Sequence, residues 1–315
     1  MRVLLETVIE LSARCGFSRA ALLPARVLAE YRPNEEAVRH GIGRDPFALL
    51  KGARSVLVVA MPFALHTPWP AGSAEVSAYY FASQRAHVAI RLLCKGLLAL
   101  GVSADVRQEL PLKLLGRDAG FGAIGRNSLL LHAKWGSCFT LRSLVTDLEP
   151  PDEKPQTPLQ AFACGACRAC VKACPTGALD GSGNLDTALC LRARMLSGEV
   201  VPEALRAPMG VKLLGCEICQ RVCPKNACIP SVSPQAEPFS LDRLLRGEKS
   251  DLDAVALAIG PNQARKERIQ AQAALAAGNS LDRRHLPLLE ALSHHARPAV
   301  AEHARWAIER LKEET

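Results

Sequence analysis

The stretch Cys164-Gly-Ala-Cys167-Arg-Ala-Cys170-Val-Lys-Ala-Cys174-Pro175 constrains this chain more than any other. Its spacing is C-x2-C-x2-C-x3-C-P. A partial copy follows at Cys216-Glu-Ile-Cys219-Gln-Arg-Val-Cys223-Pro224, with Cys190 between the two. Two intervening residues turn consecutive thiols toward a common centre. The proline after each last cysteine turns the chain away and offers no backbone donor there.

This is the run that bacterial ferredoxins use for iron–sulfur clusters. Eight thiols suffice for two 4Fe–4S clusters with four ligands each. The fourth cysteine of such a run crosses to the other cluster. Cys164, Cys167, Cys170 and Cys223 are therefore assigned to one cluster, and Cys174, Cys190, Cys216 and Cys219 to the other. Zinc ribbons pair C-x2-C but rarely add a third cysteine at that spacing and a C-x3-C-P ending. Disulfides belong to oxidising compartments. The opening Met-Arg-Val-Leu-Leu-Glu reads as cytoplasmic sequence without a signal peptide.

The length of 315 residues allows two or three domains. No apolar run approaches the ~18 residues of a membrane span. The net charge of +8 sits mainly in front: residues 1–150 carry 18 Lys and Arg against 12 Asp and Glu. Residues 151–235 carry 9 against 7, and residues 236–315 carry 12 against 12. A basic front domain suits a polyanion or an anionic cofactor, but an excess of this size also suits an ordinary solvated surface.

Along residues 1–150 the periodicity predicts a helix over 2–15 ended by Gly16, and a strand over Ser18–Leu23. The continuous apolar run Ser55–Met61 predicts a strand buried on both faces. Residues 66–77 read as a loop. A long helix follows from Ala78 to Leu100, then strands over Val102–Val106 and Leu141–Leu148. Strand, helix, strand indicates an α/β layer over residues 1–150, within an overall class of α+β or α/β. Pro150, Pro151, Pro155 and Pro158 mark a linker, so the domains expected are 1–150, 151–235 and 236–315. The last is helical, with Ala-rich amphipathic segments at Ile269–Ala277 and Pro298–Leu311 and a helix at Leu286–Leu292. Gly278-Asn279-Ser280 is expected to break the chain between helices. Paired short helices of this kind suggest HEAT-like units.

Residues 119–138 hold three glycines within six positions, Gly120, Gly122 and Gly125, followed by Arg126, Asn127, Gly136, Ser137 and Cys138. Glycines at this density let backbone approach a ligand. The G-x-G-x-x-G pattern is not a dinucleotide fingerprint, because a helix is expected before it and a strand after it, the reverse of what the fingerprint requires.

Taken together, these stretches resemble the epoxyqueuosine reductase family. The matching residues are Ala119–Asn127, Gly136-Ser137, Leu144–Asp147, the first cysteine run with Pro175-Thr-Gly-Ala178, Cys190, Gly215–Gln220 and Val222-Cys223-Pro224. Ala274–Asn279 and Ala304–Leu311 resemble the family's terminal HEAT-like unit. The resemblance implies an N-terminal α/β domain of cobalamin-binding type, a ferredoxin-like domain with two 4Fe–4S clusters and a short helical end. It implies reduction of epoxyqueuosine to queuosine in tRNA, with electrons from a reductant protein such as a flavodoxin or ferredoxin. The corrinoid would lie against Gly120, Gly122, Gly125, Arg126, Asn127, Gly136, Ser137 and Cys138. Reductive dehalogenases share the layout of corrinoid and two clusters.

The chain departs from the family at the catalytic aspartate. Counting back from Ala119 without a gap puts Val106 at that position. Asp105 is one residue away, and a one-residue shift in a strand reverses the face. Asp105 and Glu109 are the candidate proton donors, with His87 nearby. The departure leaves two other readings: an electron-transfer protein serving a partner's redox centre, and a same-layout reductase of a small molecule. Cys15 and Cys94 are expected in the core, and Cys228 outside the ligand set. Tyr79 and Tyr80 are expected in the core, and His294, His295 and His303 at the surface. Arg265, Lys266 and Arg268 form a short basic patch.

Overall fold

The computed structural model describes residues 2–33, 37–38, 41–107, 110–152 and 164–313. The chain divides into two compact units. The first takes Met1–Phe63 and Ala82–Cys167, the second Ala64–Phe81 and Arg168–Thr315.

The first unit is built on a four-stranded sheet of β1 (Arg19–Pro24), β2 (Ser55–Pro62), β3 (Ala104–Asp105) and β4 (Phe139–Thr146). The order is β1-β2-β4-β3, and every pairing is antiparallel. β2 is buried from Ser55 to Ala60, and β4 along its whole length. The strand period of two divides each between two cores. Leu57, Val59 and Leu144 face helices Arg2–Arg14 and Ala78–Ala99, where they meet Val8, Ile90 and Leu93. Val56, Val58, Ala60, Leu141 and Val145 face the other way, against Leu115, Phe121 and Leu130. The uninterrupted apolar pattern of Ser55–Met61 thus has its cause in helices on one side and the glycine-rich segment on the other. The antiparallel sheet makes this layer α+β. The last strand before the glycines is shorter than the sequence suggests, only Ala104–Asp105.

The second unit has one core, running from Ala74 and Tyr80 through Met195, Leu213 and Phe239 to Leu275 and Leu311. Segment 66–77, read as a loop, contributes short strands. Leu65–His66 pairs with Ser231–Val232, and Glu75–Val76 pairs with Lys212–Leu214. Phe239 is wholly buried and makes edge contacts with Trp69 and Phe81.

Three expectations for the helical end need correction. The helix Lys266–Ser280 runs straight through Gly278-Asn279-Ser280, and the chain turns only at Leu281, with φ +58°. Gly278 serves packing: a Cβ there would stand 2.8 Å from the Ala307 Cα. Asn279 Nδ2 donates to the carbonyls of Arg206 and Gly210 at 2.9 and 3.1 Å. The same helix is not amphipathic, because every residue from Ile269 to Gly278 is buried. Alanine makes that possible, since neighbouring helices can close on it from all sides.

His303 is fully buried, not at the surface. Its Nε2 accepts from the Val201 N–H at 2.9 Å, and its Nδ1–H donates to the Ala271 carbonyl at 3.0 Å. Burial, as the largest cause, holds its pKa down at about 4 against the ordinary 6.5. The unfolded chain therefore takes up a proton that the native state refuses as pH falls from 6.5 toward 4. Stability is whole above that window and falls through it, by about 2 kcal/mol at pH 5. Urea unfolding at pH 7 and pH 5 should show that loss, and a His303→Gln variant, less stable at pH 7, should lose less between the two.

Candidate functional site

The glycine-rich segment forms a small antiparallel hairpin, Ala123–Ile124 with Leu130–Leu131, behind the helix Leu112–Asp118. The helix-before, strand-after order excludes the dinucleotide fingerprint. Its glycines serve the hairpin itself. Gly122 has φ +156°, and a Cβ there would lie 2.0 Å from the Leu131 carbonyl oxygen. At Gly125 a Cβ would lie 2.7 Å from Leu131 Cδ1 and 2.9 Å from Asn127 Oδ1. Gly120 takes a left-handed φ of +70° just past the helix end.

Asn127 is buried at the hairpin tip. Its Oδ1 accepts from the Leu129 N–H at 3.3 Å, while its Nδ2 is buried and has no partner among the described residues. An amide donor left so costs about 1–3 kcal/mol unless something accepts from it. The far side of the segment is closed by a second turn. His132 stacks on Trp135 at 4.0 Å, its N–H donates to the Gly136 carbonyl, and Gly136 has φ +50°. Ser137 and Cys138 follow and are buried. Sequence reasoning missed His132 and Trp135; an aromatic pair three residues apart around a turn was the available signal.

Arg126 ties the hairpin to the first cysteine. Its backbone N–H donates to Cys164 Sγ at 3.4 Å, and its Nη2 donates to the Gly165 carbonyl at 2.8 Å. N–H donors to a ligating sulfur are a recognised lever on cluster potential.

In the second unit, Cys174 and Cys190 lie close enough to Cys216 and Cys219 to act on both electrostatically, and Cys170 reaches Cys219 as well. Burial first, and then the neighbouring Cys216, Cys190, Cys170 and Cys174, push the Cys219 thiol up to about 12. Burial likewise raises Cys216, helped by Cys190 and Cys174. Cys174 differs. Burial raises it too, but the backbone N–H groups of Thr176, Ala178 and Gly177 and the Thr176 hydroxyl outweigh that and lower it. The turn Pro175-Thr-Gly-Ala178 is thus a cradle for one sulfur. Cys223 lies just past the helix Ile218–Arg221 and opens the short turn Pro224–Asn226, and Cys228 is exposed.

Asp105 pairs with Val145 in a regular register. Directly paired residues share a face, and Val145 belongs to the core that holds Phe121 and Leu130. Asp105 is therefore on the face of the glycine-rich segment. Ala104 and Val106 pack on the opposite core. Val106 and Asp105 thus lie on opposite faces, with Asp105 on the hairpin side. Arg107 grips the Asp105 carboxylate through its backbone N–H at 2.8 Å and its Nε at 3.0 Å. Burial raises the Asp105 pKa, but these bonds and the guanidinium charge outweigh it and leave it below the ordinary value. His87 is lowered by burial and by Arg142 and Arg91. Glu109 lies outside the described residues.

The remaining singled-out residues divide. Cys94 and Tyr80 are buried, while Cys15 is half-buried. His66 is buried with Nδ1 at 3.3 Å from the Val76 carbonyl. Arg268 folds back onto the Asn262 carbonyl and Gln263, which leaves Arg265 and Lys266 as the exposed part of the basic patch.

Residues 163–226 match the family described as 4Fe-4S double cluster binding domain. An epoxyqueuosine reductase from Lactococcus garvieae is 34% identical over 203 residues, covering 62% of this chain and 56% of the relative. The chain spans somewhat over half the length of the first curated relatives it matches. The structure of epoxyqueuosine reductase from Streptococcus thermophilus superposes with a TM-score of 0.82 at 22% identity, covering 100% of this chain and 92% of that one. An epoxyqueuosine reductase crystallised with an epoxyqueuosine-modified tRNA-Tyr stem loop superposes with a TM-score of 0.80 at 23% identity, covering 98% and 90%. Among the described residues, no helix is long and apolar enough to cross a membrane. The chain resembles the epoxyqueuosine reductases in sequence and has their fold.

Proposed function

We propose that this chain is a corrinoid-dependent iron–sulfur reductase that converts epoxyqueuosine to queuosine in tRNA. The observation that carries the reading is the hairpin tied by Arg126 to Cys164. A simple electron carrier has no use for such a hairpin beside its cluster motif. The residues present suit the implied groups. Cys216 and Cys219, with Cys174 and Cys190 within electrostatic reach of both, suit a cluster. Cys164, Cys167, Cys170 and Cys223 would hold the other. The buried Asn127 Nδ2, which has no partner among the described residues, suits an acceptor such as a corrin amide oxygen. The backbone around Gly136, Ser137 and Cys138 would complete that wall.

When bound, the clusters supply single electrons and the corrinoid supplies the cobalt chemistry that reduces the epoxide. The protein's own work is to orient these groups, tune them and deliver a proton. Asp105 is the candidate donor, on the face of the hairpin. A donor must first be protonated, and Arg107 opposes that. Arg107→Gln should therefore raise the Asp105 pKa and carry the alkaline limit of activity to higher pH. Asp105→Asn should abolish turnover with iron and cobalt content unchanged. Full turnover in that variant would remove Asp105 from the mechanism.

The tRNA substrate is supported by the related enzyme that was crystallised with its modified stem loop. The electron donor we propose is a small flavodoxin or ferredoxin in the cytoplasm. The ion pair holding Asp105 charged favours one second reading, an electron-transfer protein without a substrate of its own. Anaerobic reconstitution with iron, sulfide and cobalamin separates the two. About eight irons and one retained cobalt, with conversion of epoxyqueuosine tRNA, is the expected result. The same iron with no retained cobalt would sink the corrinoid reductase.

A further inference from the structure

We propose that Glu217 is a positioning residue that fixes the Cys216–Cys219 turn and sets the reduction potential of the cluster held there. The proposal rests on the cluster reading above and goes beyond it to a residue that is not a ligand.

Glu217 lies between two cysteines, yet its side chain is turned inward and is 7% exposed. Oε1 accepts from the Ser77 hydroxyl at 2.9 Å and from the Ala78 N–H at 2.7 Å. Oε2 accepts from Arg221 Nη2 at 2.8 Å. Ala78 opens the helix Ala78–Ala99, whose first N–H groups have no acceptor within the helix. The carboxylate thus satisfies an orphan donor at the positive end of the helix dipole.

The preceding residues press the same turn into place. Ser77 N–H donates to the Leu214 carbonyl at 2.9 Å. Gly215 has φ +87°, and a Cβ there would lie 2.5 Å from Ser77 Cβ and 2.8 Å from Tyr80 Cε2. No larger residue fits between the cysteine turn and the first turn of the helix. Beyond Cys219, Arg221 holds Glu217 with one guanidinium nitrogen, which also reaches the His66 carbonyl at 3.0 Å. Cys216 and Cys219 are therefore clamped from both ends through one carboxylate.

The clamp carries charge as well as geometry. Cluster potential follows net charge, hydrogen bonding and burial around the sulfurs. A buried carboxylate next to Cys216 opposes the arrival of an electron, and the Arg221 guanidinium favours it. Arg221 is the more exposed of the pair, with its side chain at 43% against 7%, so its influence is more screened.

The test uses the full chain, reconstituted anaerobically with iron and sulfide, and a redox titration with dithionite followed by electron paramagnetic resonance. Glu217→Gln keeps the shape and an oxygen acceptor for Ser77 and Ala78 but loses the charge. Arg221→Gln removes the opposite charge. Both variants should load the wild-type iron content. One of the two midpoints should move to more positive potential in Glu217→Gln and to more negative potential, by less, in Arg221→Gln. The other midpoint should stay. Glu217→Ala, which loses the clamp, should lose about half the iron. Unmoved midpoints, or shifts of the same sign in both Gln variants, would overturn the proposal. Wild-type protein that takes up no iron would instead overturn the cluster reading and this proposal with it.

Discussion

Serine in place of Cys219 is expected to remove about four of about eight irons and to abolish turnover. Cys219 is the most strongly perturbed thiol of its group, pushed up to about 12 by burial and by Cys216, Cys190, Cys170 and Cys174. Thiols so placed cannot all ionise in the bare protein, because each added thiolate raises the cost of the next. Iron supplies the positive charge that lets them coexist, and cluster assembly releases their protons. A serine oxygen is too hard and too basic to take the same part. Iron and sulfide assays on reconstituted protein check this, with Cys228→Ser as the control. Cys228 is exposed and should be dispensable. Full iron in Cys219→Ser would take Cys219 out of the ligand set.

The second large effect is expected at Gly122. Alanine there puts a Cβ 2.0 Å from the carbonyl oxygen of Leu131, itself a buried residue, and demands a φ of +156°. The obstacle is backbone, not the movable end of a side chain, so the hairpin itself must open. The cost should be about 4 kcal/mol or more. Gly101→Ala is the matched comparison. It has φ +79° but nothing within 4 Å of the added Cβ, so it should cost only about 1 kcal/mol. Urea unfolding of both variants measures the difference. Equal losses would mean that the hairpin can shift to admit a methyl group.

The cysteine spacing, the buried strand Ser55–Met61 and the helix–glycine–strand order were legible in the chain because each is a local pattern. A period of two, a C-x2-C turn or a glycine past a helix end needs only its neighbours to be recognised. The long helix was legible for the same reason, and its end at Ala99 falls one residue before the expected Leu100. The misreadings arose where partners distant in sequence decide. Gly278 looked like a helix breaker, but Ala307 packs against it and requires its smallness. His303 looked exposed because nothing near it in sequence announces Val201 and Ala271.

The same division runs through the candidate site. The cysteine spacing that points to iron–sulfur chemistry is written in residue order, because spacing along a turn is a short-range property. Which face Asp105 occupies is not, since it depends on the register of a two-residue strand against β4. The reach of Arg126 to Cys164 and the inward turn of Glu217 onto Ser77 and Ala78 were likewise invisible in the chain. These contacts join residues by the packing of separate elements, and it is packing that sets burial, and burial that sets what a charge beside a cluster is worth.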